Sequence, residues 1–174
     1  MRKLSIALSG CALLLLVLSS FSAARAQTET FTDANVDYTL ELPSQMWRVS
    51  ERPDADRALA GFVYGDRMDG YLQIRKEVVD AGVAPHDLSQ RESEQKLRFL
   101  PGFVEGKEEQ FAGRMPGVAF NYEYSSAGKP MAGRIYYLQA DNRTIYVLRF
   151  TGLRDKLIRI RNQTDLIARS FRLK

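Results

Sequence analysis

Between residues 144 and 174 the spacing of apolar residues changes period, and this change constrains the fold more than any other feature of the chain. Thr144-Ile145-Tyr146-Val147-Leu148-Arg149-Phe150-Thr151 is dense in β-branched and aromatic residues, which predicts a strand inside a sheet. Gly152 is read as the end of that run. Leu157, Ile160, Thr164, Ile167 and Phe171 then recur at three- and four-residue steps, the period of one face of an α-helix. The expected anchor is therefore a buried strand feeding an amphipathic helix that packs back on the sheet.

Upstream, the period is mostly two. Asp37-Tyr38-Thr39-Leu40-Glu41-Leu42 alternates strictly and predicts a half-buried strand stopped by Pro43 and Ser44. Trp47 and Val49 form a short extended piece, and Pro53-Asp54-Ala55-Asp56 reads as loop. Residues 59–64 and 71–79 read as a hairpin around the turn Gly65-Asp66-Arg67-Met68-Asp69-Gly70, with Leu72, Ile74 and Val78 on one face and Gln73, Arg75 and Glu77 on the other. Residues 86–100 lack Gly and Pro before Pro101-Gly102 and predict a helix. Asp87 is its expected N-cap, or Ser89 and Glu92 its capping box if it starts later. Its apolar stripe (Ser89, Ser93, Leu97, Leu100) is thin, which predicts a surface helix packed by its C-terminal end. Residues 104–112 read as a charged edge strand, 113–117 as a turn, 118–124 as a strand, 125–130 as a loop and 134–139 as a strand. A tight turn at 140–143 leads into the anchoring strand. Short hairpin connections predict a mostly antiparallel sheet flanked by helices, an α+β fold with the C-terminal helix packed on the sheet.

The N-terminus reads as an export signal. Arg2 and Lys3 precede the apolar residues 6–18, and Ala24-Arg25-Ala26 offers a small-x-small cleavage pattern before Gln27. The apolar run is shorter than the ~20 residues of a membrane-spanning helix, so no membrane span is expected in the mature form. Leu8-Ser9-Gly10-Cys11 offers a competing lipoprotein reading through Cys11, against which stands the continuation of the apolar core past the cysteine. Cleavage after Ala26 leaves a single domain over residues 27–174, periplasmic or secreted. Cys11 is the only cysteine, so the mature domain must stand on its apolar core without a disulfide. Loss of Arg2, Lys3 and Arg25 leaves 22 Lys+Arg against 21 Asp+Glu, a net +1. Residues 153–174 alone carry +5 and the rest of the mature chain −4. Arg154, Lys156, Arg159, Arg161 and Arg169 are therefore a candidate basic interface for an anionic surface or lipid head group. The competing reading is a solvated outer face whose late cations complement the helix dipole.

Tyr38-x-Leu40-x-Leu42-Pro43 followed by Trp47, then hairpins, then a strand and helix ending Ile167-Ala168-Arg169-Ser170-Phe171, resembles the PsbP-like superfamily. That superfamily includes extrinsic photosystem subunits, a Ran-binding nuclear protein and exported bacterial proteins without assigned roles. The resemblance covers nearly all of residues 31–173 and implies an antiparallel sheet sandwiched between helices. It departs from the pattern at Met46, where Gly is expected before the Trp. It carries over no functional residue, and a photosynthetic role does not follow from a shared fold.

Catalytic signatures are missing. His86 is the sole histidine, and no Gly-x-Ser-x-Gly elbow accompanies it. His86 reads as a surface residue at a helix start. Without cysteine and with one histidine, zinc and copper lack their usual ligands, and no cofactor is expected. Asp66-x-x-Asp69-Gly70 lacks the alternating ligands and terminal Glu of a calcium loop, and Glu108/Glu109 falls on a charged strand. Gly61, Gly65 and Gly70 match no nucleotide-binding pattern, and no nucleic-acid partner is expected. The sequons Asn142-Arg143-Thr144 and Asn162-Gln163-Thr164 matter only in a glycosylating host. Tyr122, Tyr124, Tyr136, Tyr137 and Tyr146 remain, on three successive strands. They read either as a ligand cleft or partner patch, or as rings covered by helices with their hydroxyls at the sheet edge. The expectation is an exported non-catalytic accessory module that binds a protein partner through its surface; the alternative is a small-ligand carrier with a tyrosine-lined cleft between sheet and helix.

Overall fold

The computed structural model describes residues 28–50 and 58–174. The proposed export signal, Cys11 and the loop at 53–56 lie outside the described residues. The centre is a seven-stranded, fully antiparallel sheet built from β3 (Trp47–Val49), β4 (Ala58–Tyr64), β5 (Tyr71–Val78), β6 (Val104–Ala112), β7 (Pro116–Ser126), β8 (Lys129–Asp141) and β9 (Thr144–Leu153). Its order is β3-β4-β5-β9-β8-β7-β6. The one long connection leaves β5 through helix α1 (Pro85–Gln95) and a 3-10 turn at Leu97–Phe99, and reaches the far edge at β6. A meander then brings β9 back beside β5.

Helix α1 covers one face, packed on β7 and β8. The opposite face carries helices α2 (Arg154–Arg159) and α3 (Arg161–Ser170) with a small sheet in which β2 (Tyr38–Leu42) lies between β1 (Glu29–Thr32) and β10 (Arg172–Leu173). Two cores result. Tyr38, Leu40, Trp47, Phe150, Ile167 and Phe171 fill the α3 side, while Leu88, Leu97, Phe120, Ile135, Tyr137 and Val147 fill the α1 side.

Several boundaries differ from expectation, each for a physical reason. Gly152 does not end β9; the strand runs on to Leu153, and a Cβ at 152 would lie 2.9 Å from the Asp69 carbonyl oxygen, so glycine permits close approach there rather than a break. The single C-terminal helix is two. Ile160 adopts φ −98°, ψ 10° and separates α2 from α3, while Leu157, Ile160 and Ile167 stay buried and Ile158 and Leu166 are exposed. Phe171 lies beyond the helix in extended backbone, and the next two residues pair with Thr39 and Tyr38 of β2. Asp87 is not the N-cap. It sits at the third helical position, and its carboxylate accepts the Ala84 N–H at 2.9 Å. Ser89 and Glu92 form no capping box, because both are buried against the sheet. Helix α1 is therefore covered along Leu88, Ser89, Glu92 and Ser93, not at its C-terminal end alone.

The expected loop at 125–130 contracts to a two-residue turn. Ala127 (φ 47°) and Gly128 (φ 74°) both take left-handed backbone, the geometry that matches a hairpin's twist. Val78 is 73% exposed, since its strand outruns the core. Met46 is not among the residues with positive φ, so the turn before Trp47 has no need of glycine. Gly117 is less replaceable: a Cβ there would lie 1.9 Å from the Tyr137 carbonyl oxygen on the neighbouring strand. Gly117→Ala is expected to destabilise by about 3 kcal/mol in urea unfolding, because the obstacle is backbone in a ladder and cannot rotate away.

Candidate binding cleft and the polar networks beside it

On the α3 side, near the β6 edge, the sheet is not fully covered. The β6–β7 register slips between Glu105 and Glu108, and Gly106, Ala132 and Gly133 contribute little side-chain volume. A cleft of about 330 Å³ opens there, walled by Val104 on one side and by Leu157 and Ile158 of α2 on the other. Val104 and Ile158 are 58% and 62% exposed. They are the exposed apolar residues of the mouth, which Glu105, Glu123 and Arg161 also border.

The polar part of the cleft is Arg134, a charged side chain buried among partners from four elements. Its Nε donates to Tyr136 Oη at 2.7 Å, its Nη1 to Asn121 Oδ1 at 2.7 Å, and its Nη2 to Asp165 Oδ1 at 3.0 Å and Glu109 Oε2 at 3.5 Å. Tyr136 Oη also meets Thr164 Oγ1 at 3.0 Å and donates to Asp165. A guanidinium has five N–H donors. Among the described residues these acceptors engage four of the five. Arg161 lines the same cleft and pairs with Glu109 at 3.1 Å through Nη2.

The α1 face holds a second buried ion, Glu92. Arg75 Nη2 donates to both of its oxygens (2.9 and 3.2 Å), Lys96 Nζ to Oε1 (2.9 Å) and Tyr137 Oη to Oε2 (3.0 Å). Burial pushes the Glu92 pKa up, but the charge of Arg75, hydrogen bonds from Lys96 and Arg75, and the charge of Arg149 outweigh it and hold the group at about 2. The same burial, with Glu92 beside it, drives the Tyr137 hydroxyl far above the usual tyrosine range. The neighbouring groups are thus locked in single charge states, which suits a structural clamp joining α1 to the sheet. Elsewhere, Tyr146 Oη donates to Asp37 Oδ1 at 2.6 Å, and Lys76 reaches the other Asp37 oxygen at 2.5 Å.

The five expected tyrosines do not form one cleft. Side chains alternate along a strand, so adjacent Tyr136 and Tyr137 point to opposite faces. Tyr122 and Tyr137 belong to the α1-side core with Tyr124 packed against it, whereas Tyr136 and Tyr146 belong to the α3 side. Of the five, only Tyr122 borders the cleft. The basic residues after 153 are dispersed and partnered: Arg154 with Glu123 (3.2 Å), Lys156 with Asp69 (3.4 Å), Arg159 with Asp155 (4.0 Å), and Arg169 with the Ala112 carbonyl (2.6 Å). Acids from the −4 part of the chain thus fold onto the +5 part. His86 is 56% exposed and lies 2.6 Å from Glu108, whose hydrogen bond and charge raise the imidazole pKa. Asp66 accepts the Met68 N–H at 2.8 Å, a turn contact. Among the described residues no group of three or more His, Cys, Asp or Glu converges as a metal site requires.

The sequence offered Glu92 only as a capping-box residue and did not single out Arg134. For Glu92 a signal existed, since it follows Leu88 by four residues and shares its helix face. For Arg134 there was none, because a polar residue in an alternating strand reads as solvent-facing.

Comparison with known proteins places this architecture. No protein-family model matches the chain, and no curated protein matches it. Solved structures do. The Ran-binding protein Mog1p of Saccharomyces cerevisiae superposes with a TM-score of 0.60 at 10% identity, covering 85% of this chain and 96% of that one. LpqN of Mycobacterium tuberculosis, described as involved in cell envelope biogenesis, matches with a TM-score of 0.55 at 20% identity over 85% and 91% of the two chains. Cyanobacterial PsbP from Synechocystis sp. PCC 6803 gives 0.55 at 12% identity over 91% and 99%. The chain has the PsbP-like α+β fold. At such identities the likeness is one of fold.

Proposed function

We propose that this protein is an exported, non-catalytic accessory module that holds a partner protein against the cleft between β6–β8 and α2. The observation that carries the reading is the cleft itself: a recess with Val104 and Ile158 exposed at its mouth and a buried, directional donor at Arg134. Apolar contact area around a few oriented polar groups is the usual composition of a recognition site. The export signal read over residues 1–26 and the envelope role described for LpqN support placement in the cell envelope. The buried ions Glu92 and Arg134 and the single histidine His86 are each tied into pairs that suit a structural role.

Ile158→Asp tests the docking reading. Ile158 is already exposed, so thermal unfolding is expected to stay within about 0.5 kcal/mol of the parent. Cross-linked partner recovered from envelope extracts is expected to fall severalfold. Unchanged recovery would move the interface elsewhere. The second reading, a small-ligand carrier, keeps the cleft with Tyr122 as its one tyrosine; its volume lies at the low end of ligand pockets, ~300–1,000 Å³. It predicts thermal stabilisation by an apolar compound carrying a hydrogen-bond acceptor, abolished by the same substitution.

A further inference from the structure

Among the described residues, strand β6 is the last strand of the large sheet and its outer side meets no other strand. Edge strands present unpaired N–H and C=O groups to any extended chain of suitable side-chain pattern. At its far end Ala112 is engaged, its carbonyl accepting from Arg169 at 2.6 Å. Residues 104–107, 109 and 110 are exposed and Glu108 is half-buried. The cleft opens beside the first three of them.

The two sides of this edge differ in chemistry. Toward α1 stand Glu105, 3.4 Å from Ser93 Oγ, and Glu108, beside His86. Toward α3 stand Val104 and Ile158 at the cleft mouth and the guanidinium of Arg134, with Glu109 satisfied by Arg134 and Arg161. The strand carries three carboxylates against the single ammonium of Lys107. An added strand would project alternate side chains to these two sides.

We infer that β6 accepts an extended segment of the partner polypeptide as an additional strand, with basic side chains toward Glu105 and Glu108 and one apolar side chain inserted in the cleft over Arg134. This deepens the docking reading above and rests on it. Main-chain hydrogen bonds supply affinity that does not depend on sequence, and the alternation of base and apolar anchor supplies selectivity. The bulge at Gly106 bends the edge beside the cleft, where the anchor must leave the strand plane.

The test uses the purified protein and amide chemical-shift mapping with a short peptide of lysines at every second position, threonines between them and one central phenylalanine in place of a threonine. Shifts are expected at residues 104–110 and around the cleft. A copy with glutamate for lysine is expected to bind about tenfold more weakly, because its charges oppose those of the edge. A copy with proline at the threonine positions is expected not to bind, because proline removes the N–H at every second position and holds φ away from extended strand geometry. Ile158→Asp is expected to weaken the lysine peptide and leave its charge preference intact. Equal binding of the glutamate or proline copies, shifts confined to another surface, or no shifts at millimolar peptide would each overturn strand addition. If no peptide touches β6 while Ile158→Asp still lowers partner recovery, strand addition is wrong and docking at the cleft stands. Peptide binding with partner recovery unaffected by Ile158→Asp would sink the docking reading instead.

Discussion

Glu92→Ala is expected to destabilise the fold by about 4 kcal/mol, read as a fall in the urea midpoint at unchanged slope. Glu92 is 3% exposed, and Arg75, its main partner, is 14% exposed. Removing the carboxylate leaves Arg75 with Glu77 alone, at 2.9 Å from its Nη1, and strips Nη2 and the Tyr137 hydroxyl of their acceptor in a place water scarcely reaches; those unpaired donors are the source of the cost. Lys96 matters less, because at 58% exposure its ammonium stays solvated when Glu92 is lost. Acid has a related effect. The Glu92 pKa is depressed in the folded state, from 4.5 to about 2. Its ionisation therefore contributes stability above pH 4.5 that disappears as pH falls through 4.5 toward 2. The gap corresponds to about 3 kcal/mol. Glu92→Gln is expected to flatten the stability profile across that window while costing less at pH 7 than alanine. A glutamine variant with the parent's acid profile would show that other carboxylates govern acid unfolding.

Ending the chain after Ser170 is expected to cost at least about 4 kcal/mol, or to prevent accumulation of folded protein. The deleted residues are few, but Phe171 is fully buried, with its ring centroid 4.8 Å from that of Tyr38 and 5.1 Å from that of Tyr146. Loss of an aromatic of this kind alone typically costs ~3–5 kcal/mol. The strand that follows pairs Arg172 with Thr39 and Leu173 with Tyr38, and the Lys174 Nζ donates to the Val36 carbonyl at 2.7 Å. Without them β2 keeps only β1 as a partner and the small sheet is reduced to a hairpin, which is marginal alone. Phe171→Ala in the full-length chain separates the two contributions. It removes the ring and leaves the strand pairing, so it is expected to account for most of the loss in thermal unfolding. A truncated protein as stable as the parent would mean that α3 holds β2 without help from the C-terminus.

Each buried clamp joins residues distant in the chain, and this explains how much of the site was legible beforehand. Glu92 meets Arg75 and Tyr137, and Arg134 meets Asn121 and Asp165. Taken singly, these are polar residues in a helix and in strands, and such residues are mostly exposed. Only packing decides which of them is covered. The basic stretch after 153 shows packing at work in the other direction. Its excess charge is real along the chain, yet Glu123, Asp69 and Glu109 come from other strands and turns to answer it.

Residue order and type alone were sufficient for the α+β class, the antiparallel meander and the strand-to-helix passage at the C-terminus, because each rests on local periodicity and turn chemistry. Tertiary contact decided the rest. It split the tyrosines between two faces, since neighbours on a strand diverge, broke the last helix at the buried Ile160, and drew residues 172–173 into a strand that has meaning only beside β2. The cleft belongs to that second group, because it is the space left where three small residues and a slipped register meet a short helix.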